Sequence, residues 1–223
     1  MNAISNPGPI DGWELRRRRM VEEQLRNRGI RDPRVLAAFL SVPRHEFVPE
    51  DYRVEAYEDR PLPIGHGQTI SQPYIVAAML ETLRLQPAER ALEVGAGSGY
   101  QTALLAELCR EVFAVERRQA LAESASAVLD RLGYRNAHII VGDGTQGYPP
   151  AAPFDAIVVA AAAATLPPAL VKQLAEGGRM IIPVGSQDVQ ELELVTKRDG
   201  QVHRSRLDGC RFVPLIGTGG FSE

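Results

Sequence analysis

Cysteine is nearly missing: Cys109 and Cys210 are the only two in 223 residues. Two thiols so far apart along the chain exclude a disulfide framework, a zinc site built from cysteines and a CxxC redox motif, so both are expected to be reduced structural thiols. Long apolar runs are absent too. No stretch approaches the roughly 18 consecutive apolar residues of a membrane-spanning helix. The opening "MNAISNPGPIDGW" lacks the charged-then-apolar layout of a signal peptide. The expectation is a soluble chain that stays in the cytoplasm. An excess of one charge is also lacking: a formal net charge of -3 and a pI near 5.9 give no general attraction to polyphosphate. The four histidines, His45, His66, His138 and His203, are scattered without metal spacing and are read as structural or exposed, with no metal expected.

What is present divides at Pro87. Residues 1–12 mix Asn, Pro, Gly and Ser and read as a mobile leader. Leu15, Met20, Val21 and Leu25 fall among Arg and Glu in a mostly polar helix over 14–27 that Gly29 can end. Its "RRRR" run at 16–19 reads either as a phosphate-binding patch or, in better accord with the acidic total, as a solvated helix face partly paired with Glu22 and Glu23. "DPRVLAAFLSV" offers Asp32 as a cap, Pro33 at the first helical position and Val35, Leu36, Phe39 and Leu40 at helical spacing. An extended or looped stretch, "EDYRVEAYEDRPLPIGHG", leads to "GQTISQPY" and the apolar run "YIVAAMLETL".

After Pro87, short β-rich runs alternate with helical ones: "RALEV", "GYQTALLAELC", "EVFAV", "RQALAESASAVLDRL", "AHIIV", "FDAIVVA", "PPALVKQLA" and "GRMIIPV". That alternation predicts an α/β fold with a mostly parallel, doubly wound sheet and helices on both faces. Ligands bind such sheets at the carboxyl ends of the strands. There the chain places Gly95, Gly97 and Gly99 in "EVGAGSGYQT", with Tyr100 where a dinucleotide fingerprint needs its last glycine. Glu93 precedes the loop, where a negative charge repels pyrophosphate but suits a cationic ligand. Glu116 ends the second strand as an acceptor for two ribose hydroxyls, and Asp143 with Gly144 ends the third as an acceptor for an exocyclic amine. Each alone could be a surface carboxylate or a turn. Together they point to a nucleoside carrying positive charge, as S-adenosylmethionine does.

From Met20 to Leu215 the chain resembles the bacterial-type protein-L-isoaspartate O-methyltransferases, through "MVEEQLRNRGIRDPRVLAAFLSVPRHEFVP", "LPIGHGQTISQPY", "LEVGAGSGYQTALLAEL", "VFAVER", "VGDGTQGYP", "PFDAIVVAAAA", "PPALVKQLAEGGRMIIPVG" and "RFVPL". The glycine loop is shared by many methyltransferases, whereas "TISQP" and "RFVPL" are specific to this family. The resemblance implies a Rossmann-like core binding S-adenosylmethionine, with a helical N-terminal extension and active-site loop over 13–86, and a core over 87–223 with a β-rich C-terminal segment. It implies repair of proteins and peptides containing L-isoaspartyl residues; from charge and hydropathy no nucleic-acid or membrane partner is expected, and the chain is expected to be a monomer. Matched residue by residue, it implies Ser71 as the active-site serine and Ile70, Ser71, Gln72 and Pro73 as a loop touching the cofactor. Glu93, Gly95, Gly97 and Gly99 match the methionine side, Glu116 the ribose, and Asp143 with Gly144 the adenine. Ser71, Ala161, Val213 and Pro214 are matched to the substrate side. The chain departs from the family at Ala164, usually proline, and at Ala160, often Thr or Gly, which bears on substrate preference.

Two readings of single residues stay open. Ser71, or Gln72 after it, also reads as an N-cap for the helix that Pro73 begins. "RFVPLIG" reads as a backbone partner for an extended substrate or as an edge strand ended by Pro214. The small residues of "VVAAAAATLPP" leave room for a peptide or simply end a buried strand. A small-molecule or RNA acceptor, and a non-catalytic binding module, are the competing functions.

Overall fold

The computed structural model describes residues 12–186 and 188–222; the leader lies almost wholly outside them. Helix α1 (Gly12–Met20) does not stay α-helical to its predicted end. It widens into a π-turn over Val21–Leu25 and tightens into a 3-10 turn over Arg26–Arg28 before Gly29, at φ 107°, stops it. The change of pitch keeps Met20, Val21 and Leu25 all buried. Helix α2 (Pro33–Ser41) starts as its sequence predicts, with the Asp32 carboxylate accepting the Arg34 N–H at 2.8 Å, and buries Val35, Leu36 and Phe39. Two 3-10 turns, Arg44–Phe47 and Glu50–Glu55, lead to a hairpin of β1 (Leu62–Gly65) and β2 (Gln68–Ile70), then to α3 (Pro73–Leu83).

The main sheet follows: β3 (Arg90–Val94), α4 (Tyr100–Leu108), β4 (Glu111–Glu116), α5 (Gln119–Arg131), β5 (Ala137–Val141), β6 (Phe154–Val159), α6 (Pro168–Gln173), β7 (Leu174–Gly185), β8 (Gln190–Arg198) and β9 (Gln201–Cys210). Its seven strands run in the order β5-β4-β3-β6-β7-β8-β9. The first five are parallel, and β8 and β9 add an antiparallel hairpin. Sequence order reverses between β3 and β6, so the crevice beyond their carboxyl ends is where a ligand fits. The N-terminal helices share a core with the sheet: Leu25, Phe39, Leu62 and Leu80 pack in one cluster with Leu104, Val112, Val158 and Ile181.

The arginine run is mostly committed within the fold. Arg18 pairs with Glu14 at 2.6 Å, Arg19 with Glu23 at 2.9 Å, and Arg16 donates to the Val54 carbonyl. His45 stacks on Trp13 and shares a 2.8 Å hydrogen bond with the Tyr57 hydroxyl, a packing role.

Candidate active site

Three glycines carry the chain from β3 into α4. Gly99 sits at φ 83°, and a Cβ there would lie 3.1 Å from Ala125 Cβ on α5, so the turn needs glycine for both torsion and space. A Cβ on Gly144 would come within 2.6 Å of Val94 Cγ1, which fixes how closely the end of β5 approaches β3. The cavity above these strand ends spans about 880 Å³ when its open mouth is counted.

Glu116 stands at its side. One carboxylate oxygen accepts the Gly97 N–H and the other the Arg118 N–H, both at 2.9 Å. Each oxygen keeps one free acceptor position, which fits two vicinal hydroxyls of a ribose. Glu93, expected to present a negative charge, is instead fully buried, with its oxygens bonded by Gln101 Nε2 at 3.1 Å and Thr102 Oγ1 at 2.5 Å. Burial pushes its pKa up to about 8 against the pull of those two donors. At pH 7 it therefore holds a proton unless a cation comes close.

Asp143 also differs from its sequence reading. Its Oδ1 accepts the Thr145 N–H and hydroxyl at 2.9 and 2.7 Å, and its Oδ2 accepts the Thr218 N–H and hydroxyl, both at 2.9 Å. Burial alone would raise its pKa, but these four donors hold it below the usual carboxylate value. These four hydrogen bonds fasten the C-terminal segment to the end of β5. That segment, 213–221, crosses the cavity as a strap: Leu215 N–H bonds the Ala162 carbonyl at 2.7 Å, and Leu215 and Ile216 line the cavity.

Ser71 does not cap the helix that follows it. Helix α3 begins at Pro73 with Gln72 before it, and neither side chain caps it. Asp59 does so from a distance, accepting the Tyr74 N–H at 3.3 Å and the Gln72 amide at 2.8 Å, and pairing with Arg28. Ser71's hydroxyl makes no hydrogen bond among the described residues, and the residue lines two cavities at once. The second is a groove bounded by Gln72, Ile75, Val189, Cys210 and Phe212. The two meet at Thr69, Ser71, Ala160, Val213 and Pro214.

Of the residues singled out in the sequence, Ile70, Ser71, Glu93, Gly95, Gly97, Glu116, Gly144, Ala161, Val213 and Pro214 line the cavity above the strand ends. Gln72 faces the groove alone, Asp143 lies in a neighbouring recess with Thr218, and Pro73 and Gly99 line none of these spaces. Ala161 touches the cofactor side only; its neighbour Ala160 is the residue shared with the groove. Sequence reasoning missed Tyr100, Gln101 and Arg118, all within two positions of residues it chose.

A strand-end glutamate with acceptor positions open, beside a glycine turn at the reversal of strand order, belongs with the S-adenosylmethionine-dependent methyltransferases of Rossmann-like fold. The family model for protein-L-isoaspartate(D-aspartate) O-methyltransferases matches residues 16–220, and the chain belongs to that family. A protein-L-isoaspartate O-methyltransferase from Koribacter versatilis is 56% identical over 213 residues, 96% of either chain. One from Methanoculleus marisnigri is 55% identical over 95% of this chain and 96% of its own. Among solved structures, a protein-L-isoaspartate O-methyltransferase superposes with a TM-score of 0.85 at 31% identity, covering 92% of this chain and 67% of that one. A Plasmodium falciparum structure described as a beta-aspartate methyltransferase in complex with S-adenosyl-L-homocysteine gives 0.80 at 34% identity, covering 90% and 98%.

Proposed function

We infer that the chain is a protein-repair enzyme: it transfers the methyl group of S-adenosylmethionine to the free carboxylate of L-isoaspartyl residues in damaged proteins and peptides. The ester closes to a succinimide, which can reopen to normal aspartate. The observation that carries the site assignment is Ser71, its hydroxyl uncommitted, at the junction of the cofactor cavity and an open groove.

When bound, S-adenosylmethionine supplies an electrophilic methyl group on a sulfonium. Glu116 would hold the ribose hydroxyls with its two remaining acceptor positions, and Gly144, without a side chain, would leave room for the adenine. Gly95 and Gly97 would lie along the methionine part, with the nearby Glu93 able to lose its proton and face the cation as a carboxylate. The acceptor carboxylate, whose pKa in water is near 4, is already ionised at pH 7 and needs no general base. What it needs is aim, with reacting atoms about 3 to 3.5 Å apart. The Ser71 hydroxyl donates to one carboxylate oxygen and turns the other towards the cofactor cavity. The Val213 N–H and Phe212 carbonyl, which have no backbone partner among the described residues, are available to an extended substrate, while Phe212 N–H is held by Gln190 Oε1 at 2.9 Å.

Residues 13–86 act as an extension that carries the acceptor loop to a core beginning near residue 87. The partners are damaged proteins and peptides rather than nucleic acid or membrane, which accords with the internal pairing of the arginine run. The two free thiols accord with a reducing compartment, the cytoplasm, and the chain acts as a monomer. Among the described residues no helix is long and apolar enough to cross a membrane.

The deciding experiment offers labelled S-adenosylmethionine with an isoaspartyl peptide and its aspartyl twin. Only the isoaspartyl peptide should be labelled; equal labelling, or none despite intact cofactor binding, overturns the reading. Ser71→Ala should lower kcat while leaving cofactor affinity near its original value, and an unchanged kcat returns Ser71 to a spacer.

A further inference from the structure

Arg44 is fully buried, yet no carboxylate among the described residues pairs with it. Its Nε donates to the Ala56 carbonyl and its Nη2 to the Ser71 carbonyl, each at 2.8 Å, while Nη1 has no partner among the described residues. The guanidinium lies over the Tyr100 ring, 4.8 Å from its centroid. Burial pulls its pKa down to about 10, so it remains charged at pH 7. A buried charge with an unmatched donor makes a poor filler, since an apolar side chain of the same volume generally serves stability as well or better.

The contacts explain its presence otherwise. Tyr100 begins α4 directly after the glycine turn and lines the cofactor cavity, with Phe39 and Phe47 packed edge-on against its ring. Ser71 lines the junction of that cavity with the groove. One rigid planar side chain thus touches the cofactor-side helix and the acceptor loop together, and binds each through a different face of its chemistry. Asp59 steadies the same loop from the other side through Gln72 and Tyr74.

We propose that Arg44 is a positioning residue for methyl transfer: by fixing the Ser71 carbonyl against the Tyr100 ring, it sets the direction of the Ser71 hydroxyl relative to the cofactor. This rests on the assignment of Ser71 to the acceptor carboxylate. Lysine, a single-point donor on a flexible stem, cannot replace both the contact with the Tyr100 ring and the second carbonyl bond.

The test is a mutant cycle on the full chain. Arg44→Met and Arg44→Lys are made alone and with Ser71→Ala, and kcat on an isoaspartyl peptide, the dissociation constant for S-adenosylmethionine and Tm are measured for each. Either Arg44 change should lower kcat about tenfold to a hundredfold with cofactor affinity little altered, the scale of a misaimed group. In the Ser71→Ala background the same change should add little further loss. Multiplying losses, or a fall in Tm with kcat unchanged, overturns the proposal while leaving Ser71 in place. If Ser71→Ala itself leaves kcat unchanged, the Ser71 assignment falls and this inference falls with it. Should Arg44→Met fail to fold, Arg44→Lys carries the same cycle.

Discussion

Glu93 and Glu116 lie at the carboxyl ends of two neighbouring strands, and their surroundings give them different work. Glu116 commits one acceptor position per oxygen to backbone N–H groups and keeps the others for ligand. Glu116→Ala should therefore weaken S-adenosylmethionine binding by about 1.5 to 3 kcal/mol, the worth of hydrogen bonds to a charged group, as read by calorimetry. Glu93 is different because its pKa is raised from 4.5 to about 8. Between those values the folded chain holds a proton that the unfolded chain has released, so this residue's contribution to stability falls as pH rises through that window and levels off above it. A cationic ligand reverses the preference. Binding near pH 7 should release a proton, seen as a binding enthalpy that varies with the ionisation heat of the buffer, and Glu93→Gln should abolish that release. The strand-end positions of both glutamates were legible in the sequence. The burial of Glu93 was not, because Gln101 and Thr102 reach it only once α4 has folded back over β3.

At the scale of elements, legibility followed burial. Strands β3, β4 and β6 carry apolar runs because neighbours cover them, and their limits could be read to within a residue; β7 starts four residues before its apolar run, at Leu174, where the sequence still reads as helix. Strand β9 is exposed along nearly its whole length, so "QVHRSRLDGC" has no apolar alternation to betray it. The pitch changes after α1 escaped too, since they answer to packing against α2 and α3 rather than to local propensity. The start of α3 is instructive: a serine, a glutamine and a proline looked like a cap, but the cap comes from Asp59. The strap over 213–221 could not be foreseen, because its anchor pairs Thr218 with an aspartate 75 positions earlier. Thr218→Val keeps the shape and removes one donor to Asp143. Loss of about 1 kcal/mol should speed S-adenosylhomocysteine release roughly fivefold in a stopped-flow chase, with Tm nearly unchanged.

For the whole molecule, the fold class and the composite nature of the site were legible, because the alternation of strand and helix and the order of the acidic residues lie along the chain. What joins them was not. The helices before Pro87 enter the same hydrophobic cluster as the sheet, so the acceptor loop is built into the body that holds the cofactor. The two spaces meet around Ser71, Thr69, Ala160, Val213 and Pro214, the first lined by Leu215 and Ile216 of the strap and the second by Cys210 and Phe212 of the groove. On the proposed assignment donor and acceptor occupy separate spaces and must be present together, with no stop at which the methyl group waits on the protein. Initial-rate lines against the two substrates should intersect rather than run parallel, and S-adenosylhomocysteine should compete with S-adenosylmethionine but not with the peptide.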